Sequence, residues 1–416
     1  MSTDAAYKLM DHLFRHEAGK MVAILTARFG LAQLQLVEDA VQDAFVQARS
    51  AWRIDLPDNP AAWLHRVAGN RAIDLLRREG RGHQIISETD AGTSQEPIEA
   101  FSDGELRDVQ LQLIFACCHP SLKLEDKLAL TLKTVSGFSP AEIARALLKT
   151  EAAIQKRLER ARAHLRDAAI RLEIPAGAAI TTRLDAVVKV LYLLFNEGYN
   201  SGKPDEPIRR DLCAEAMRCA KLLCEQEQTA QPPVQALLAL MCLHAARFDS
   251  RLDATGAMLR LHEQDRASWD RELIAVGCRY LEQASRGDIL SRYHLEAAIA
   301  SCHCLAQSFE ATGWKRILSL YDLLLTIDSS PIVQLNRAVA LAEVDGPDIA
   351  IGAILHIPGI EGLLRTHYLF PAVLGELYAR LSAHLRATEL LAQAKSLTSS
   401  QAEKNMLQRK IDGLGS

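Results

Sequence analysis

Between Gly137 and Asp167 the sequence GFSPAEIARALLKTEAAIQKRLERARAHLRD carries two helix starts in one short stretch, and this pattern restricts the fold more than any other in the chain. Ser139-Pro140-Ala141-Glu142 supplies a hydroxyl cap, a proline at the first helical position and a glutamate placed to reach back to the cap's amide. Ile143, Ala144, Leu147 and Leu148 then make an apolar face, which Lys149-Thr150 interrupts, and Thr150 is placed to cap a second helix. In that helix Ile154, Leu158, Ala161 and Leu165 recur at helical spacing and face inward, leaving Gln155, Lys156, Arg157, Arg160 and Arg162 to project elsewhere. This is the division of labour of a helix-turn-helix: the start of the second helix meets base edges in the major groove, and Arg and Lys neutralise phosphates. An ordinary helical hairpin with a solvated basic face satisfies the same local pattern.

The surrounding composition predicts an all-α protein. Of 416 residues only 5% are aromatic while 49% are hydrophobic, with Ala and Leu conspicuous and few strand-like runs. The length exceeds what one core accommodates and implies two or three domains. A net charge of -4 conceals an uneven distribution. Basic residues cluster near 66–81 and 145–166, whereas 82–105 has none, so the global charge does not argue against nucleic acid. Nine cysteines without a disulfide framework, and an amino terminus with neither a signal peptide nor a long apolar run, point to a reduced, cytoplasmic setting and to no membrane partner.

Along the chain, Tyr7 to Phe29 is expected as one amphipathic helix and Leu34 to Trp52 as a second, with Val37, Ala40, Val41, Ala44, Phe45 and Ala48 on its apolar face. Glu38, Asp39, Gln42 and Asp43 form an acidic and polar face without nearby basic partners, suited either to a basic partner surface or simply to solvent. A proline- and aspartate-rich loop, Ile54 to Pro60, leads into a third helix, Ala61 to Glu79, where Trp63, Leu64, Val67, Ile73, Leu75 and Leu76 sit beside Arg66, Asn70, Arg71, Arg77 and Arg78. That helix reads as a second nucleic-acid surface. His83 to Asp103, rich in Gly, Ser, Thr, Glu and Asp, is expected to be a flexible acidic tether. Helices over Glu105 to Cys118 and Leu122 to Val135 then lead into the helix-turn-helix.

Taken in order, LVEDAVQDAFVQARSAW, NPAAWLHRVAGNRAIDLLRRE, an acidic linker and SPAEIARALLKTEAAIQKRLERARAHL closely resemble bacterial sigma factors of the extracytoplasmic-function type, over roughly residues 5–170. The resemblance implies a first module over 1–80, a linker over 81–104 and a second module over 105–175. It implies core RNA polymerase and promoter DNA as partners, with no cofactor, metal or catalysis. By the same resemblance Glu38, Asp39, Gln42, Asp43 and Phe45 contact polymerase. Trp63, Arg66, Asn70, Arg71 and Asp74 lie at or near the unstacked strand of the -10 element, where pockets and stacking hold bases and arginines follow the backbone. Gln155, Lys156, Arg157, Arg160 and Arg162 meet the -35 element. Trp63 is equally well placed for the core, and Glu159 among the basic residues is a departure that leaves the -35 preference open.

The stretch 181–416 is far larger than minimal members of that family carry, and it is again helical by pattern. NRAVALAEVDGPDIAIGAIL and GELYARLSAHLRATELLAQA share a first helix with small residues, a turn and an Ala/Leu second helix, offset by about 39 positions. They resemble loosely spaced tetratricopeptide repeats, which bury a core by stacking and leave a concave face for a protein or peptide partner. The whole then resembles the sigma subgroup whose carboxyl-terminal extension is tetratricopeptide-like and modulates transcription. FNEGYN at 195–200 is read either as a capped helix end or as a contact with the preceding modules. Cys302, His303 and Cys304, with Cys117, Cys118 and His119, are metal-ligand types without metal-ligand spacing.

Two function classes remain at this stage: a promoter-specificity subunit of RNA polymerase, and a self-contained helix-turn-helix regulator whose helical part senses a ligand or scaffolds partners. The acidic second helix and WLHRVAGNRAIDLL favour the first, because an ordinary repressor needs neither. An enzyme is a distant third, for want of a nucleophile-base set, phosphate loop or metal spacing.

Overall fold

A computed structural model describes residues 17–52, 56–78, 103–147, 149–201 and 206–414. The expected tether therefore lies almost entirely outside the described residues, as do Leu148, the start of the first helix, and part of the loop at 54–60. The described residues are helical with no strand, and a lone antiparallel bridge joins Leu252 and Met258. No single helix among them is long and apolar enough to cross a membrane. The chain forms two compact units, residues 1–190 and 191–416.

In the first unit, α1 covers 17–29 and a short turn at Leu31–Gln33 leads to α2 (Leu34–Ala51) and α3 (Pro60–Arg78). The helices α2 and α3 pack closely because both carry small residues at helical spacing. Ala40, Ala44 and Ala48 on α2, and Leu64, Ala68, Ala72 and Leu76 on α3, are wholly buried. The remaining helices are α4 (Asp103–Cys117), α5 (Leu124–Leu130), α6 (Pro140–Ala146) and α7 (Glu151–Asp167), with a π-helical turn at Thr131–Val135. Both predicted caps form. Ser139 Oγ accepts from the Glu142 amide at 3.2 Å, Glu142 Oε2 accepts from the Ser139 amide at 2.8 Å, and Thr150 Oγ1 accepts from the Ala153 amide at 3.3 Å. Ile154, Leu158, Ala161 and Leu165 are buried, as their spacing predicts.

The helix α8 (Ala178–Tyr199) runs through the boundary of the two units. The second unit continues with α9 (Arg210–Glu225), α10 (Pro232–Ala245), α11 (Arg271–Ala284), α12 (Arg292–Leu305) and α13 (Trp314–Leu325). Helix α10 is apolar on every side, and it is correspondingly enclosed by α9, α11 and α12. Two helical hairpins follow, α14–α15 (Pro331–Val344 and Pro347–Leu355) and α17–α18 (Leu369–Arg380 and His384–Leu397). Between them lies α16 (Ile360–Thr366), and α19 (Gln401–Leu414) packs on α18. These hairpins are the two similar segments seen in the sequence. Ala338, Ala342, Ala350, Ile354, Phe370 and Leu374 join them in one core.

FNEGYN closes the end of α8 inside the second unit. A methyl group at Gly198 would lie 2.7 Å from the Arg209 carbonyl oxygen and 2.9 Å from the Cys213 amide, so only glycine lets α8 and the start of α9 approach this closely. The Arg251 guanidinium stacks 3.7 Å above the Tyr199 ring and donates to the Tyr199 carbonyl and, at 2.7 Å, to Asn200 Oδ1. Arg247 donates to the Tyr199 hydroxyl at 2.8 Å.

Candidate nucleic-acid interface

The third helix separates its residues by face. Leu64, Ala68, Ala72 and Leu76 turn inward, which leaves Arg66, Asn70 and Asp74 exposed in one line, each four residues from the next. Arg77 and Arg78 extend the exposed basic end of the helix. Arg66 is exposed and makes no ion pair among the described residues. Trp63 is half-buried, its ring edge-on to Trp52 with centroids 5.6 Å apart, which braces the start of α3 while keeping part of the indole at the surface. Arg71 turns toward α2 and donates to Asp43 Oδ2 at 2.6 Å.

The second helix of the helix-turn-helix is divided similarly. Gln155, Lys156, Glu159 and Arg160 are exposed, and Gln155 donates to Glu151 Oε1 at 3.3 Å. Neither Lys156, Glu159 nor Arg160 has an ion-pair partner among the described residues. Arg157 is half-buried and tied within its own module, donating to Asp126 Oδ1 at 2.9 Å with Glu125 3.7 Å away. The two lines of exposed residues offer the mixture of cations and amides that phosphates and base edges require.

The acidic face of α2 differs from the sequence expectation. Asp39 and Gln42 are exposed, but Asp43 pairs with Arg71, and Glu38 is buried at 4% exposure. Glu38 Oε1 accepts from the Thr134 hydroxyl at 2.6 Å, and its other oxygen accepts from Arg162. The expectation that this face lacks basic partners therefore fails at two of its acidic positions. The cause at Glu38 is its register: it falls four residues after Leu34 and three before Val41, inside the buried stripe. Desolvation and then the Glu38 carboxylate hold the Asp39 carboxyl above its usual range. Phe45 is almost wholly buried and forms part of the support for the exposed Gln42 and Val46.

The contact at Glu38 joins the two modules of the first unit. The turn at Leu31–Gln33 packs on α7, and Gly19 of α1 lies directly against Val135. Glu38 and Arg162 lie 124 positions apart, and no local sequence pattern pairs them.

No three His, Cys, Asp or Glu side chains among the described residues converge as a metal-ligand set. Cys117 and Cys118 are buried, and burial pushes the Cys118 thiol up to about 11. Burial, followed by the charges of Arg247 and Arg266, pushes the His303 imidazole down to about 3.

Comparison with known proteins matches residues 13–82 to sigma-70 region 2 and residues 112–165 to sigma-70 region 4. Residues 183–285 match a family of unknown function, DUF6596. An uncharacterised protein of Rhizobium meliloti is 35% identical over 387 residues, covering 92% of this chain and 90% of the relative. The ECF RNA polymerase sigma factor SigM of Mycobacterium tuberculosis is 30% identical over 160 residues, covering 37% of this chain and 74% of the relative. The ECF RNA polymerase sigma factor SigE of Mycolicibacterium smegmatis is 27% identical over 168 residues, covering 39% of this chain and 62% of the relative. No solved structure matches the chain significantly.

Proposed function

The chain belongs to the extracytoplasmic-function sigma-70 factors and carries a large helical carboxyl-terminal extension, and we propose that it binds core RNA polymerase and directs initiation at promoters by gripping two separated DNA elements. The observation that carries this reading is the pair of exposed polar lines on two different modules, Arg66-Asn70-Asp74 on α3 and Lys156-Arg160 on α7. One helix-turn-helix suffices for a repressor. A second basic helix that carries the partly exposed Trp63, braced from below by the buried Trp52, is suited to single-stranded bases, which stack on aromatic rings while arginines follow the phosphates.

In this reading α2 docks on the polymerase through Asp39, Gln42 and Val46, with Phe45 beneath them. Lys156 and Arg160 meet the -35 duplex, where Gln155 reaches base edges and Glu159 excludes some bases by charge. Arg66, Asn70 and the exposed edge of Trp63 hold the opened -10 strand, and Arg71 and Asp74 lie beside it. The extension modulates this activity through a protein or peptide partner on its helical hairpins.

Footprinting of the complex with core polymerase tests the assignment. Arg160→Ala should lose protection upstream, and Arg66→Ala with Asn70→Ala should lose strand opening downstream while keeping the upstream protection. Loss of both signals together from either change contradicts the division of roles.

A further inference from the structure

The two modules of the first unit hold each other through residues that the function needs elsewhere. Glu38 and Arg162 are each at least 85% buried at the side chain, and they pair with one another while Thr134 donates to the second carboxylate oxygen. A cleft of about 260 Å³ beside this pair is lined by Val41, Gln42, Phe45 and Val46 from the docking face of α2 and is bordered by Lys133 and Pro140 of the second module. The second module thus covers part of the surface assigned to polymerase, and the first module holds an arginine assigned to DNA.

We infer that Glu38, Thr134 and Arg162 form an internal latch that keeps the two modules closed and lowers the fraction of chains competent to bind core polymerase. This inference rests on the sigma-factor reading above. Closure satisfies each module's charge with the other's: the carboxylate is neutralised without polymerase, and the guanidinium without phosphate. Opening exposes both, and it becomes favourable when polymerase contacts replace the second module and a DNA phosphate replaces Glu38 as the partner of Arg162. Apparent affinity for polymerase is the intrinsic affinity scaled by the open fraction, so a change that weakens closure without touching the docking face tightens binding.

Two positions outside the assigned contacts allow that test. A methyl group at Gly19 would lie 2.0 Å from the Val135 carbonyl oxygen, and this obstacle is backbone that cannot swing aside. Since Gly19 is helical, alanine suits α1 itself, and Gly19→Ala acts on the contact between modules. Thr134→Val is gentler and removes only the hydroxyl that donates to Glu38.

The experiment uses the full-length chain. Core-polymerase affinity and hydrogen exchange of the free chain over 34–51 and 131–135 are measured for the wild type and both variants. Gly19→Ala should bind core polymerase about fivefold tighter and Thr134→Val about twofold tighter, with faster exchange in both segments. Faster exchange with unchanged or weaker binding would show that the contact is packing alone and overturn the latch. Unchanged exchange in both variants would overturn it as well, because the contact would not be holding the modules. If neither the wild type nor the variants bind core polymerase, the sigma-factor reading itself fails, and that outcome is distinct because there is no affinity to compare.

Discussion

Arginine is used differently in the two units of this molecule. In the first unit, Arg66 and Arg160 stand exposed on helix faces, and Arg162 is held by a carboxylate of the neighbouring module. In the second unit, Arg209 and Arg251 are 4% and 5% exposed, Arg251 lies flat on Tyr199, and Arg266 stacks on Trp269. Arg209 donates to Asp211 Oδ2 at 2.8 Å, whereas the donors of the other two go to helix ends: Arg251 to the Tyr199 carbonyl, Arg266 to the His303 and Ala306 carbonyls at 2.6 and 2.9 Å. These particular arginines therefore face solvent or pair between modules in the first unit and tie helix junctions together in the second. A count of basic residues cannot tell these uses apart, whereas the partners can.

Acid should separate the units most strongly. His303 and His244 are half-buried beside arginines and held below the usual imidazole value of 6.5, so the unfolded chain binds protons that the folded unit refuses. Stability of the second unit is then fully present above pH 6.5 and falls as the pH drops from 6.5 toward 3, by several kcal/mol. Calorimetry should show its transition moving down in temperature across this window, and His303→Leu should blunt the shift. An acid response confined to the first unit would break the comparison.

Arg251→Ala comes next, with an expected loss of about 3 kcal/mol in the second unit, because the Tyr199 carbonyl and Asn200 lose a charged donor in a buried site. Gly198→Ala should cost about 2 kcal/mol there by forcing α8 from α9. Chemical denaturation of the full chain measures both, and unchanged midpoints would show that these groups are not holding the junction. On the other side of the comparison, Asp39→Lys should weaken core-polymerase binding about tenfold with little change in stability, since Asp39 is exposed and Asp43 is already paired to Arg71. Arg160→Ala should lower promoter affinity about fivefold and reduce the salt slope by about one, again without loss of stability. A stability loss at Arg160 comparable to that at Arg251 would mean that the two units do not differ in the way described.

Much of the fold was legible because its signals are local. The cap residues Ser139, Glu142 and Thr150 act within one turn, and the apolar stripe of α2 appears as a helical period, so both could be read from spacing. The partners of charged residues were not legible, because they lie far away along the chain. Arg71 reaches Asp43 across 28 positions and Arg157 reaches Asp126 across 31, and helical periodicity carries no information about either. Glu38 had a readable warning in its position within the stripe of Leu34, Val37 and Val41, but its identity as a carboxylate outweighed its register. Gly198 gave no local signal of the close approach it permits, since the obstructing Arg209 carbonyl belongs to the next helix.

Under the proposed function, two modules together give promoter-specific initiation by core RNA polymerase. Run-off transcription from fragments of the source genome, with core polymerase and the purified chain, tests it most directly. Transcripts should start at defined promoters only when the chain is added, and both Arg160→Ala and the paired Arg66→Ala and Asn70→Ala changes should reduce them. No chain-dependent start at any promoter, together with failure to bind core polymerase, would contradict the account.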